Sequence, residues 1–190
     1  MRKRTGVIVM IAAAASIAYF SESSLKEENV PEPLLKVTEN QVSVVPVTLV
    51  DVIDGDTIKV VVHGKIETVR YLLIDTPESK SPKTCVQLYA KEALLRNSEL
   101  VKSGKVTLEF EQGDVRDSYG RLLAYVYVDG ESVQGILLKE GYARVAYIMN
   151  PPYIYLELYR EEENLAKRGK INIWSSRYFV TKWGFHGCIQ

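Results

Sequence analysis

From residue 43 onward the chain reads mostly with a period of two. Residues 43–53 (SVVPVTLVDVI), 56–64 (DTIKVVVHG) and 65–74 (KIETVRYLLI) are rich in Val, Ile and Thr, the side chains that suit a pleated surface. They predict three consecutive strands, with His63-Gly64 as the turn between the second and third. The period changes after a segment carrying Pro77 and Pro82. In residues 87–102 (QLYAKEALLRNSELVK) Leu88, Leu94, Leu95 and Val101 lie close to one helical stripe, and Gly104 stands where a helix end favours glycine. KVTLEFE and RLLAYVYVDG restore the strand pattern on either side of the polar stretch QGDVRDSYG. Two further helices are predicted over residues 132–140, ended by Gly141, and 155–168, ended by Gly169. This order implies a small barrel with helices packed against it.

The first 42 residues follow other rules. Arg2, Lys3 and Arg4 precede an uncharged run over residues 6–20, short for a membrane span of about 20 residues and normal for the apolar region of an export signal. Ser16, Ile17 and Ala18 form a small-x-small cleavage site, so the segment is read as a cleaved signal peptide or, uncleaved, as a membrane anchor. Either way the chain is exported, to be secreted or held at the cell surface. Residues 21–42, rich in Ser, Glu, Asn and Pro, read as a polar linker. The folded domain is expected over residues 43–176, with residues 177–190 as a tail. A chain of 190 residues with 46% hydrophobic content supports one good core. Its 24 basic side chains equal its 24 acidic ones, so any attraction for an anionic partner must be local.

Candidate chemistry gathers in three stretches. In IDGDT, Asp54 and Asp56 flank Gly55, which alone is an ordinary turn signal. In VRYLLIDTPE, a continuous strand sets Arg70, Leu72 and Ile74 on one face and Tyr71, Leu73 and Asp75 on the other. An arginine on an apolar face demands an anion. Asp75, Thr76, Pro77 and Glu78 then offer an oxygen-rich cluster suited to a hard cation such as calcium; a proline turn with an Arg-to-acid salt bridge is the plainer reading. In VRDSYGR, Arg116 and Arg121 bracket a tyrosine and a glycine, able to offer guanidinium groups and a stacking ring to a phosphodiester.

Taken in order, IDGDT, RYLLIDTPE and YGR, with GYARVAYI and KINIWS further on, closely resemble the staphylococcal nuclease, or thermonuclease, family from about Thr48 to Trp174. The resemblance implies an α+β, mainly β fold: a five-stranded OB-type barrel with three α-helices. It implies one calcium ion held by Asp56, Asp75 and the main-chain carbonyl of Thr76, with Asp54 just outside the direct ligands, and a catalytic set of Arg70, Glu78 and Arg121. Tyr119, Tyr147 and Lys83 fall where the family contacts its substrate. Ser118 and Met149 depart from the best-known members, which carry a lysine and a second tyrosine there. Asn150-Pro151 matches a bond that can be cis in the family.

The implied activity is calcium-dependent hydrolysis of DNA and RNA with little sequence preference, leaving 3'-phosphates. No protein partner is implied, contact with a membrane arises only through an uncleaved anchor, and the expected state is a monomer. The arginines would stabilise charge building on phosphorus, and Glu78 would accept the proton of the attacking water or position it. Glu78→Ser or Arg70→Gly is expected to lower turnover by orders of magnitude while the fold survives. The rival reading is a catalytically silent OB-type module that binds nucleic acid or protein, but such modules lose the acid and arginine set that this chain keeps.

Other features read as structural. His63 and His186 are expected at the surface, Tyr125, Tyr127 and Tyr142 in the core or on a barrel face, and Trp174 as a packing anchor. The run REEENLAKR reads as a solvated helix face with Glu163 paired to Lys167. Cys85 and Cys188, the only cysteines, either form a disulfide tying the tail near the acidic motif or stay as thiols.

Overall fold

The computed structural model describes residues 44–79 and 85–188. The expected signal or anchor, the linker and Lys83 lie outside the described residues. The predicted strands and helices appear in the expected order. The strands are β1 (Val44–Pro46), β2 (Thr48–Asp54), β3 (Thr57–Val62), β4 (Lys65–Tyr71) and β5 (Ile74–Asp75). Helix α1 (Ala90–Lys102) precedes β6 (Val106–Glu109), β7 (Leu122–Val128) and the short β8 (Glu131–Ser132). After these come α2 (Val133–Lys139), β9 (Arg144–Val145), α3 (Leu156–Gly169), β10 (Val180–Thr181) and β11 (Gly184–Phe185). Among the described residues the architecture is α+β, with three α-helices and a mainly antiparallel sheet.

In the main sheet the neighbours run β1-β6-β7-β4-β3-β2, with β8 beside β7, and only β4 and β7 pair in parallel. The two ends of this path are successive in the chain. Val47 alone separates β1 from β2, and its N–H bonds to the Val106 carbonyl at 3.1 Å. The sheet therefore turns back on itself through a covalent bend, and among the described residues no ladder joins β1 to β2. Ile58, Val60, Val69, Leu108, Ala124 and Val126 fill its inner face, against Leu137, Leu138 and Tyr159 from α2 and α3.

Three local expectations change. The strand over residues 65–74 is not continuous: β4 stops at Tyr71, and Leu73 takes a left-handed φ of 63°. That conformation costs about 1–2 kcal/mol for a non-glycine residue, and burying a leucine, worth about 1.5–3 kcal/mol, offsets it; Leu73 is fully buried. After the kink, β5 pairs with β9 and no longer follows β4, so Asp75 meets Arg70 instead of facing away. The buried stripe of α1 is Ala90, Ala93, Asn97 and Val101, whereas Leu88 and Leu95 are exposed. The cis peptide bond lies between Pro151 and Pro152, one residue beyond the position the resemblance suggested.

The remaining structural readings fare variously. Tyr125 is fully buried, while Tyr127 and Tyr142 are half-buried against the same core. His63 and His186 are exposed. Glu163 does pair with Lys167 at 2.6 Å, yet it is buried and also accepts the Val145 N–H at 2.8 Å, so it secures β9 to α3. The tail up to residue 188 is folded. Ile173, Phe179 and Phe185 form a small core of their own, with Tyr89 and Trp174 against it, and a Cys85–Cys188 disulfide spans 5.6 Å between Cα atoms, an ordinary separation for such a bond.

Candidate active site

Gly55 does not occupy the left-handed region. It is needed because a Cβ at this position would lie 2.7 Å from Thr76 Oγ1 and 2.9 Å from the Ala93 Cβ. Only a residue without a side chain lets Thr76 and α1 come this close. The turn between β2 and β3 is thereby pressed against the segment that follows β5. Asp54 takes the Gly55 N–H at 2.8 Å and the Ser79 N–H at 3.4 Å, while fully buried Asn97 donates to the Asp54 carbonyl at 2.8 Å and accepts from the Tyr71 hydroxyl at 2.8 Å.

Asp56 is buried, and its Oδ2 accepts the N–H and the hydroxyl of Thr76, both at 3.0 Å. The same oxygen lies 3.1 Å from Arg70 Nη2, which also reaches Asp75 Oδ1 at 3.5 Å. Arg70 Nη1 donates to the carbonyls of Tyr71 and Ile74, both at 2.9 Å. The anion that an arginine on an apolar face requires is thus supplied from within the chain. Asp75 is bound on its other side by Arg144, at 3.0 Å from Nε and 2.9 Å from Nη2. Tyr147 completes this end of the site: its hydroxyl donates to Asp75 Oδ1 at 3.4 Å, and its ring lies 5.2 Å from the Arg70 guanidinium.

The carboxylates feel one another. Burial first, and then the Asp56 charge, push Asp75 above the usual carboxylate range against the pull of Arg70 and Arg144. Burial followed by Asp54, Asp56 and Asp75 pushes Glu78 the same way. Asp54 is likewise raised, chiefly by burial. The Glu78 side chain reaches the surface, but its backbone is locked: its N–H donates to Gln87 Oε1 at 2.8 Å, and its carbonyl accepts the Gln87 N–H at 3.1 Å. Gln87, buried, spends its amide N–H on the Phe185 carbonyl at 3.0 Å.

Arg121 stands apart from this cluster. Its Nε donates to Asp117 at 2.7 Å, and the Tyr119 ring, 84% exposed, lies 5.4 Å from its guanidinium. The parallel pairing of Val69 with Leu122 keeps that loop beside the strand carrying Arg70. Ser118 and Met149 are both exposed. Two residues to which the sequence reading gave no role prove central. Arg144 lies in GYARVAYI between two predicted helices, where its charge is the one signal, and Gln87 opens the stretch predicted as the first helix, where a polar side chain marks nothing.

The donor set suits a hard cation. Asp56 and Asp75 bring oxygen ligands from separate elements, and mutual repulsion among the carboxylates favours a positive ion. Among the described residues no three His, Cys, Asp or Glu side chains form one ligand group, so such an ion would rest on two carboxylates, completed by main-chain oxygen and water.

The sequence is similar to those of known nucleases. A family model described as "Staphylococcal nuclease homologue" matches residues 68–176. Endonuclease YncB of Bacillus subtilis (strain 168) is 58% identical over 153 residues, covering 80% of this chain and 72% of its own. SPbeta prophage-derived endonuclease YokF of the same organism is 58% identical over 146 residues, 77% of this chain and 49% of its own. The thermonuclease of Staphylococcus hyicus is 37% identical over 178 residues, 90% of this chain and 97% of its own. The chain belongs to the staphylococcal nuclease family. Within it, Arg70, Asp75, Thr76, Glu78, Tyr119, Arg121 and Tyr147 fall inside the matched residues, Asp54 and Asp56 precede them, and the β10–β11 hairpin follows them.

Proposed function

We propose that the site around Arg70 is the centre of a calcium-dependent endonuclease that hydrolyses DNA and RNA with little sequence preference and leaves 3'-phosphate ends. Phosphodiester hydrolysis itself is the activity of the family to which the chain belongs. The observation that carries the finer reading is the convergence of Asp56 and Asp75 on one buried guanidinium, with Glu78 beside them. The architecture we infer is the family's five-stranded OB-type barrel, with β1 and β2 as one strand bent at Val47.

Asp56, Asp75 and the Thr76 carbonyl would hold one calcium ion, whose chemistry when bound is to polarise a phosphoryl oxygen and orient water. Arg70 keeps its guanidinium buried and aligned through two carbonyls and two carboxylates, so donors are in place before charge builds on phosphorus. Arg121 reaches a phosphate by exchanging it for Asp117. Glu78, with its backbone fixed by Gln87, accepts the proton of the attacking water or positions it. Tyr119 and Tyr147 offer rings to the flanking bases, and Lys83 is assigned to the phosphate side.

Export through residues 1–20 is supported by their basic start and apolar run. It is also supported by the Cys85–Cys188 disulfide, because such bonds persist in oxidising compartments. We assign residues 21–42 to a linker and the remainder to a monomeric catalytic domain with its tail.

The test is digestion of single-stranded DNA and of RNA by the purified protein, with calcium or with chelator, followed by end-group analysis. Hydrolysis of both substrates only with calcium, giving 3'-phosphates, is expected. Equal digestion in chelator, or 5'-phosphate products, would refute this reading.

A further inference from the structure

Charge is unevenly placed in this formally neutral chain. Residues 164–190 carry Lys167, Arg168, Lys170, Arg177 and Lys182 and contain no aspartate or glutamate. Part of that segment is the β10–β11 hairpin, which lies beyond residue 176, where the family match ends.

Among the described residues four aromatic rings stand out in solvent: Tyr119 at 84%, Tyr147 at 60%, Tyr178 at 75% and Trp183 at 85% exposure. Each has a cation beside it. Arg121 lies 5.4 Å from the Tyr119 ring, Arg70 5.2 Å from Tyr147, Arg177 5.8 Å from Tyr178 and Lys182 4.9 Å from Trp183. The first two pairs belong to the candidate active site, and the other two repeat the same arrangement on the hairpin. An exposed ring with a cation over one face and the other face free for a base is the combination that holds a base and its phosphate without reading sequence.

The hairpin is close to the site and firmly held. Arg144, which grips Asp75, also donates to the carbonyls of Thr181 at 3.4 Å and Lys182 at 3.3 Å. One guanidinium therefore separates the turn bearing Trp183 from a proposed calcium ligand. Phe179 and Phe185 bury the inner side of the hairpin, and the Cys85–Cys188 disulfide fixes its far end. Lys182 and Trp183 in its turn, and Arg177 and Tyr178 just before β10, stay exposed for a ligand.

We propose that this hairpin is an additional binding element for single-stranded nucleic acid, in which Lys182 meets backbone phosphates and Trp183 stacks on a base of a strand running out of the active site. The identity of the ligand rests on the nuclease reading above. An unpaired strand is required, because paired bases offer no free face to a ring.

Binding of a labelled oligothymidylate of about 20 nucleotides, longer than the span one OB fold covers, tests this in chelator, where the strand stays intact. Trp183→Ala is expected to weaken binding about fivefold or more, the lower end of what one stacked base contributes. Lys182→Ala should reduce the slope of log affinity against log salt by about 0.7, the loss of one phosphate contact on a single strand. Trp183→Phe should keep the affinity but lose the quenching of tryptophan emission, since Trp174 is the only other tryptophan. Both side chains are exposed, and unchanged melting temperatures confirm folded variants. Wild-type affinity in Trp183→Ala together with a wild-type salt slope in Lys182→Ala overturns the proposal. So does weakened binding of the variants to anionic lipid vesicles with strand binding intact, which would assign the hairpin to a membrane surface. If the wild-type protein hydrolyses nothing in calcium, the nuclease reading fails, while the strand titration still decides the role of the hairpin.

Discussion

Arg70 and Gly55 show how far single residues in this site serve two ends. The Arg70 side chain is about 10% exposed and shared between two carboxylates of similar burial. Removing it leaves those acids buried without their partner, a loss of about 3–5 kcal/mol for a broken buried pair. Arg70→Gly is therefore expected to lose both turnover and stability, measurable by chemical denaturation, which revises the expectation that the fold survives the change untouched. Gly55→Ala would press a methyl group onto Thr76 and Ala93, and overpacking of this kind costs about 1–3 kcal/mol. A lowered denaturation midpoint with an unchanged slope is the expected outcome. Both effects were hidden in the sequence. It displayed a glycine between two aspartates and an arginine among leucines, but which atoms would approach them depends on contacts over 20 residues and more.

At the scale of elements, alternation and helical spacing revealed the order of strands and helices because each must bury one face. The break at Leu73 escaped that logic, since LLI continues the apolar pattern straight through a left-handed kink. The kink shapes the candidate site, for it swings Asp75 onto Arg70. The folded tail was illegible for a similar reason: its small core draws Phe179 and Phe185 together with Tyr89, distant in sequence at the start of α1. Gln87 joins these parts, one arm on Glu78 and the other on Phe185. Gln87→Ala would leave the part-buried Glu78 N–H and the buried Phe185 carbonyl without their partner, the latter at a cost of about 1–3 kcal/mol. The expected result is a fall in kcat with KM little changed, because Gln87 positions Glu78 and touches no substrate. A rise in KM with kcat unchanged would instead mark it as part of the binding surface.

For the whole molecule, a neutral total charge conceals a division of labour. Four carboxylates, Asp54, Asp56, Asp75 and Glu78, lie within one another's field, while cations beside exposed rings recur at Tyr147, in the Arg121 loop and on the hairpin. Family membership was legible because IDGDT, RYLLIDTPE and YGR occur in order, and the structure adds the physical link between the first two. In the function proposed for this cluster, hydrolysis depends on Glu78 acting on water. Turnover of single-stranded DNA by Glu78→Gln, in calcium and beside the wild-type protein, tests it most directly. A general base contributes about 10²–10⁴-fold. A fall of at least about 100-fold is expected with the melting temperature unchanged, because the Glu78 side chain reaches solvent and its backbone bonds to Gln87 are retained. Wild-type turnover in the folded Glu78→Gln variant would contradict it.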